Sequence, residues 1–257
     1  MLRSLLTHPL ARGRNLDDPR TTILRRHIIQ AKPFLKRVYE EWYRLLSDSL
    51  DSSSERTLEI GSGAGFLQQC IPDLLTSDLL LLPWVDLVLD GEKIPFKDDV
   101  LDAMVFINVL HHIPDPQAFL IETSRCIRQG GKLVMIEPWV STWSKLVYTN
   151  LHHEPFNPSA RYIGLESHAP LSSANGALPW IMFERERDLI LKNLSMWEIT
   201  DIRLSTPFTY LLSGGMSMRS LMPGWSYGFW HRIETLLLPL VHHLAMFARI
   251  TLTKRIV

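Results

Sequence analysis

The chain is short of cysteine, of net charge and of long apolar runs, and each shortage removes a class of protein. Cys70 and Cys126 are its two cysteines, with no C-x-x-C spacing. Neither a disulfide framework nor a thiolate zinc site is expected, and a reducing, cytoplasmic setting is. Lysine plus arginine number 27, as do aspartate plus glutamate. Proteins that bind nucleic acid by neutralising phosphates carry a basic excess, so no nucleic-acid partner is expected. No stretch reaches the roughly 20 apolar residues that a membrane-spanning helix needs. Residues 1–14 hold a few leucines broken by His8 and Pro9, without the apolar centre of a signal peptide.

What is there suits one α/β domain with additions: 257 residues, enough to bury a sizeable core. Between residues 20 and 50, Leu24, Ile28, Ala31, Leu35, Val38, Trp42 and Leu45 recur at helical steps, and Pro33 inside that pattern predicts two helices or a kink. Residues 57–138 read as alternating strands and helices, the pattern of a parallel sheet covered on both faces. Residues 139–185 read as irregular and 184–194 as an exposed helix. Residues 197–203 and 248–254 read as strands, and an apolar, helix-like run spans 229–247.

The chemistry concentrates in residues 57–66, T-L-E-I-G-S-G-A-G-F, a short apolar strand entering a glycine turn, with a helix expected from 66 to 71. Glycines at alternate positions let backbone approach a ligand closely. A dinucleotide loop would read G-x-G-x-x-G, and Phe66 stands where its third glycine should be. Further blocks follow in order: T-S-D at 76–78; V-D-L-V-L-D-G-E-K-I-P-F at 85–96; a strand from Leu101 ending in N-V-L-H-H at 108–112; and R-Q-G-G-K-L-V-M-I-E-P at 128–138.

In this order the blocks resemble those of the class I S-adenosylmethionine (SAM) methyltransferases, and among them the methyltransferase type 11 family. The resemblance covers residues 57–138. It implies a Rossmann-like α/β fold: a seven-stranded, mostly parallel sheet with an antiparallel edge, flanked by helices. N-terminal helices (1–50) would precede a methyltransferase domain (51–257), with a helical insert before the last strand. Residues 57–138 would bind the cofactor, and 139–185 and 204–247 would face the substrate.

The resemblance also implies roles. Gly61, Ser62, Gly63 and Gly65 would shape the turn around the methionine half of SAM. Glu59 would order that loop or reach the cofactor amine. Asp78 would accept from both ribose hydroxyls, with Leu79 against adenine. Asp90 would accept from the adenine amine beside the Gly91 amide, and Asn108 would face the methionine end. His111 and His112 follow the fourth strand near the expected methyl position, either packing the loop or acting directly. His153 beside Glu154 is a candidate general base, because imidazole titrates near neutral pH; a surface or structural role for that pair is the bland alternative. No metal is expected, since adjacent residues rarely point at one ion and no H-E-x-x-H helix is present. The expected activity is methyl transfer to a small molecule, with a glycan or lipid-linked intermediate as the favoured class. The alternatives are a non-catalytic SAM-binding module and, behind it, an NAD(P)-dependent oxidoreductase. The insert at 204–247 would cover the sheet or cap a bulky apolar substrate. Peripheral membrane contact is the lesser expectation, because the run is neither strongly basic nor clearly amphipathic.

Overall fold

A computed structural model describes residue 15 and residues 17–151, 154–161 and 174–256. Its centre is a sheet of β1 (Thr57–Glu59), β2 (Leu75–Asp78), β3 (Leu87–Val88), β4 (Leu101–Ile107), β5 (Ile127–Pro138), β6 (Trp197–Ser205) and β7 (Phe247–Lys254). The strands lie in the order β3-β2-β1-β4-β5-β7-β6. The first five are mutually parallel where they pair. β7 runs antiparallel between β5 and β6. The chain reverses its direction of travel across the sheet between β1 and β4, and a crevice opens beyond the carboxyl ends of strands at such a switch point. The expected seven-stranded sheet with an antiparallel edge is therefore present, and so is the helical insert before β7.

Both faces of the central strands are apolar, as parallel strands covered on two sides require. Met104 and Phe106 of β4, with Leu133 and Met135 of β5, pack into one core with Phe119, Phe183 and Trp197. Their alternates Val105, Val134 and Ile136 pack into a second core with Phe34, Leu35, Val38, Trp42 and Leu46. Those last residues belong to α2 (Pro33–Ser47), which follows α1 (Pro19–Ala31). Two helices form here, not one kinked helix. Proline at 33 has no N–H to give the preceding turn but suits a first helical position. Asp18 caps α1, its side chain accepting from the Arg20 amide at 2.9 Å. Asp115 caps α3 (Pro116–Cys126) by accepting from the amides of Gln117 and Ala118.

Three local expectations fail. The helix expected from 66 to 71 contracts to a 3-10 turn, Leu67–Gln69, and Cys70 lies exposed at its end. Regular alternation of strand and helix also fails: between β1 and β4 that turn is the one helical element, and only eight residues, 79–86, join β2 to β3. A helical crossover needs a dozen or more residues, and Pro72 and Pro83 shorten what is available. The helix that covers this face is α2, supplied from the N-terminal side. Finally, 139–185 is not irregular throughout. It holds α4 (Thr142–Leu151) and a short helix, Leu178–Trp180, running into a π-turn at Ile181–Arg185. The helix expected over 184–194 is α5 (Arg187–Asn193). In the insert, α6 (Thr209–Ser213) and α7 (Tyr227–Leu236) precede two short turns, and β7 begins at Phe247.

Candidate active site

A cavity of about 580 Å³ opens at the switch point. The carboxyl ends of β1, β2 and β4 supply one wall; α1, α2, residues 154 and 210, and the loop at 216–217 supply the other. Every described candidate residue lines it: Glu59, Gly61, Ser62, Gly63, Gly65, Asp78, Leu79, Asp90, Gly91, Asn108, His112 and Glu154. His153 lies outside the described residues.

The loop after β1 is fixed from beneath. Gly61 has φ +63°, and a Cβ there would sit 2.6 Å from Val109 Cγ2, so both conformation and space demand glycine. A Cβ on Gly65 would meet the Tyr43 hydroxyl at 2.8 Å and the Ser62 carbonyl at 2.9 Å. Ser62 donates its hydroxyl to Glu59 Oε2 at 2.6 Å. Burial raises the Glu59 carboxyl to about 7, against the lowering effect of that hydrogen bond. The Asp78 carboxylate accepts from the Gly63 amide through one oxygen and from the Leu80 amide through the other, each at 2.8 Å. The Leu79 amide also bonds this carboxylate, which leaves it acceptor capacity beyond its three backbone donors. Asp90 is exposed on the rim, and its Oδ1 accepts from the Glu92 amide at 2.9 Å.

The N-terminal helices hold the outer side of this loop. The Tyr43 hydroxyl accepts from the Phe66 amide at 2.8 Å, and the Phe66 ring stands edge-on to Tyr43 at 4.8 Å. Arg26 donates to the Gly65 carbonyl and stacks 4.3 Å over Trp84, whose indole N–H donates to the Gly63 carbonyl. Phe66 therefore fills, with a buried ring, the place where a dinucleotide loop needs a glycine. Periodicity in residues 20–50 signals helices and says nothing about which loop they clamp, so Arg26 and Tyr43 were missed.

At the far end stands a charged cluster. Glu137, fully buried on β5, accepts at Oε1 from the amides of Val109 and Leu110 and at Oε2 from His111 Nδ1, at 2.7, 2.8 and 2.6 Å. His111 Nε2 faces Glu154 Oε2 at 3.7 Å. Burial pulls the His111 pKa down, but the charge and hydrogen bond of Glu137, then Glu154, outweigh it and hold it at about 10. The two carboxylates therefore favour the imidazolium form of His111. Donor atoms of His111, His112 and Glu154 lie within 4.8 Å of one another, close enough for one divalent cation. Such a cation would have to displace the His111 proton. Asn108 takes φ +58°, and its Oδ1 is buried at the cavity without a hydrogen-bond partner among the described residues.

Asn175 staples Glu154's segment in place. It donates its amide to the His111 carbonyl, its side-chain oxygen accepts from the amides of Asn157 and Ala177, and its side-chain nitrogen donates to the Asn157 carbonyl. Phe156 stacks on Tyr148 at 4.7 Å, and Tyr148, Tyr210 and Phe247 complete an aromatic wall. Glu137 was legible only as the last acid before a strand-ending proline; its partner is 26 residues away.

Strand order, the glycine loop after β1 and the carboxylate ending β2 define the class I methyltransferase fold. Residues 58–135 match the family model described as a methyltransferase domain. A stretch of 101 residues is 32% identical to the demethylmenaquinone methyltransferase of Streptomyces avermitilis, covering 38% of this chain and 44% of that protein. Among solved structures, a SAM-dependent methyltransferase from Thermotoga maritima superposes with a TM-score of 0.50 and 16% identity, over 89% of this chain and 99% of that one. The geranyl diphosphate C-methyltransferase of Streptomyces coelicolor A3(2), solved with Mg2+, geranyl-S-thiolodiphosphate and S-adenosyl-L-homocysteine, gives 0.52 and 14%, over 86% and 77%. Both likenesses are likenesses of fold.

Proposed function

We propose that this chain is an enzyme that transfers a methyl group from SAM to a small-molecule acceptor. The observation that carries the reading is the cavity itself. One end is a glycine turn held from beneath by Val109 and Tyr43, beside the Asp78 carboxylate and the unpartnered oxygen of Asn108. The other end is a wall of aromatic rings around one carboxylate.

The residues fit SAM. The turn at Gly61, Gly63 and Gly65 would hold the methionine half, with Glu59 ordering the turn through Ser62. Asp78 would accept from the ribose hydroxyls. Half-exposed Leu79 would lie against adenine, and Asp90 with Gly91 would meet its edge. Asn108 Oδ1 would take a hydrogen bond from the amino end, since a buried acceptor left alone costs about 1–3 kcal/mol. When bound, SAM supplies an electrophilic methyl group on a sulfonium.

The chain's own residues would do the rest. Tyr148, Tyr210 and Phe247 would exclude water and hold an apolar acceptor in line. Glu154 would take the acceptor's proton as the new bond to carbon forms and the sulfonium bond breaks. The His111 imidazolium, anchored by Glu137, would keep Glu154 ionised and aimed. His153, its chain neighbour, is the other candidate for that proton, and His112 would position the loop. An apolar, lipid-linked or quinone-like acceptor suits the aromatic wall and is consistent with the named substrate of the Streptomyces avermitilis relative.

Melting temperatures with SAM, S-adenosylhomocysteine and NAD test this. A ligand at 100 times its Kd adds roughly 2.7 kcal/mol. Shifts with the first two, lost in Asp78→Ala, are expected; a shift with NAD alone would overturn the reading.

A further inference from the structure

We propose that the outer face of α7 and the turns around it form a docking surface for an anionic lipid bilayer. Tyr227 and Trp230 turn inward and pack on the core under α2. The opposite side is also apolar. Trp225, Phe229 and Leu236 are 83%, 61% and 78% exposed. Positions 225, 229 and 236 are four and seven residues apart, so they share one stripe. Leu238 and Leu240, half exposed, continue the run. α7 has two apolar faces, of which the core covers one.

Charge says what covers the other. Within the insert, residues 204–247, the sequence has two arginines, Arg219 and Arg232, and one acidic side chain, Glu234; the cations of β6 and β7 are engaged elsewhere, Arg203 and Arg249 with Asp201 and Lys254 with Asp99. Glu234 is buried and accepts from the amides of Phe208 and Thr209, so it faces inward. Arg232 lies on the exposed stripe, and Arg219 is exposed ahead of it. On neighbouring α2, Arg37 and Arg44 flank Tyr227 opposite Glu41 and Glu234, and Arg44 is paired with Glu41 and faces Asp48. A neutral protein thus carries a local basic field around exposed Trp, Phe and Leu, the composition of an interfacial surface. Among the described residues no helix is long and apolar enough to cross a membrane, so contact is with the surface. The loop at 216–217, which lines the cavity, leads directly into this segment.

Sedimentation with vesicles, without SAM, tests the surface independently of the methyl-transfer reading. Binding is expected to phosphatidylglycerol-containing vesicles, weak on phosphatidylcholine alone, and lowered by salt. Trp225→Ser with Phe229→Ser should lower partitioning about tenfold or more. Arg219→Gln and Arg232→Gln should each lower it about fivefold on anionic vesicles only. Circular dichroism and melting temperature confirm that each variant folds. Absence of binding, equal binding to both vesicle types, or a dimer that the Trp225/Phe229 variant dissolves would overturn the proposal.

Discussion

His111 Nδ1 lies 2.6 Å from Glu137 Oε2, and both side chains are buried. Removing one partner of a buried pair costs about 3–5 kcal/mol, because the other charge stays behind. His111→Gln should therefore lower the urea midpoint strongly. The pH dependence has a fixed sign. The folded pKa, about 10, is above the ordinary 6.5, so this stabilisation is complete below pH 6.5 and is lost as pH rises through 10. The difference in unfolding free energy between parent and His111→Gln should shrink across that window. A constant difference would show that the pair carries no proton.

Gly61→Ala meets two penalties. A left-handed conformation costs a non-glycine residue roughly 1–2 kcal/mol, and Val109 Cγ2 stands 2.6 Å from the new carbon. Adding Val109→Ala should recover the steric part and leave the conformational part. Thermal melts of the single and double variants separate the two.

Tyr43→Phe leaves the buried Phe66 amide without its acceptor. A loss of about 1–3 kcal/mol is expected, with faster hydrogen exchange at that amide and a smaller SAM-induced rise in melting temperature. An unchanged exchange rate would mean that α2 does not clamp the loop.

Glu154→Gln keeps shape and removes the proposed base. If the acceptor must lose a proton, kcat should fall by about 10²–10⁴, while SAM binding, read by melting temperature, stays as in the parent. His153→Ala is the companion variant. Full turnover there assigns the proton to Glu154; a comparable loss moves it to His153.

Lys32 is buried between α1 and α2 and donates to the carbonyls of Gly215 and Met218 at 2.6 and 2.9 Å. Burial lowers its pKa to about 8. The folded state then holds this proton less firmly than the unfolded one, so the penalty is full below pH 8 and fades as pH rises toward 10.5. Lys32→Met should remove that rise and loosen the 216–217 loop, measurable as faster proteolysis within the insert.

Much of the glycine end of the cavity was legible because its signals are local. A glycine with φ +63°, a carboxylate at a strand end and a strand-terminal asparagine announce themselves within a few residues of chain. Periodicity likewise marked both N-terminal helices and their break at Pro33. The failures share a cause. Whether residues 66–71 extend into a helix depends on what already covers that face, and α2 covers it. Whether a histidine is a base, a ligand or a counter-ion depends on neighbours distant in sequence.

By itself, then, the order of residues determined the sheet, the turn beyond its first strand and the carboxylates beside it, since backbone conformation and side-chain alternation are set over short spans. Tertiary structure alone decided that Glu137 and Glu154 together raise the His111 pKa, that Arg26 and Tyr43 hold the turn from outside, and which side of α7 meets solvent. Charge state and exposure are properties of what lies within a few ångströms in space, and folding chooses those neighbours.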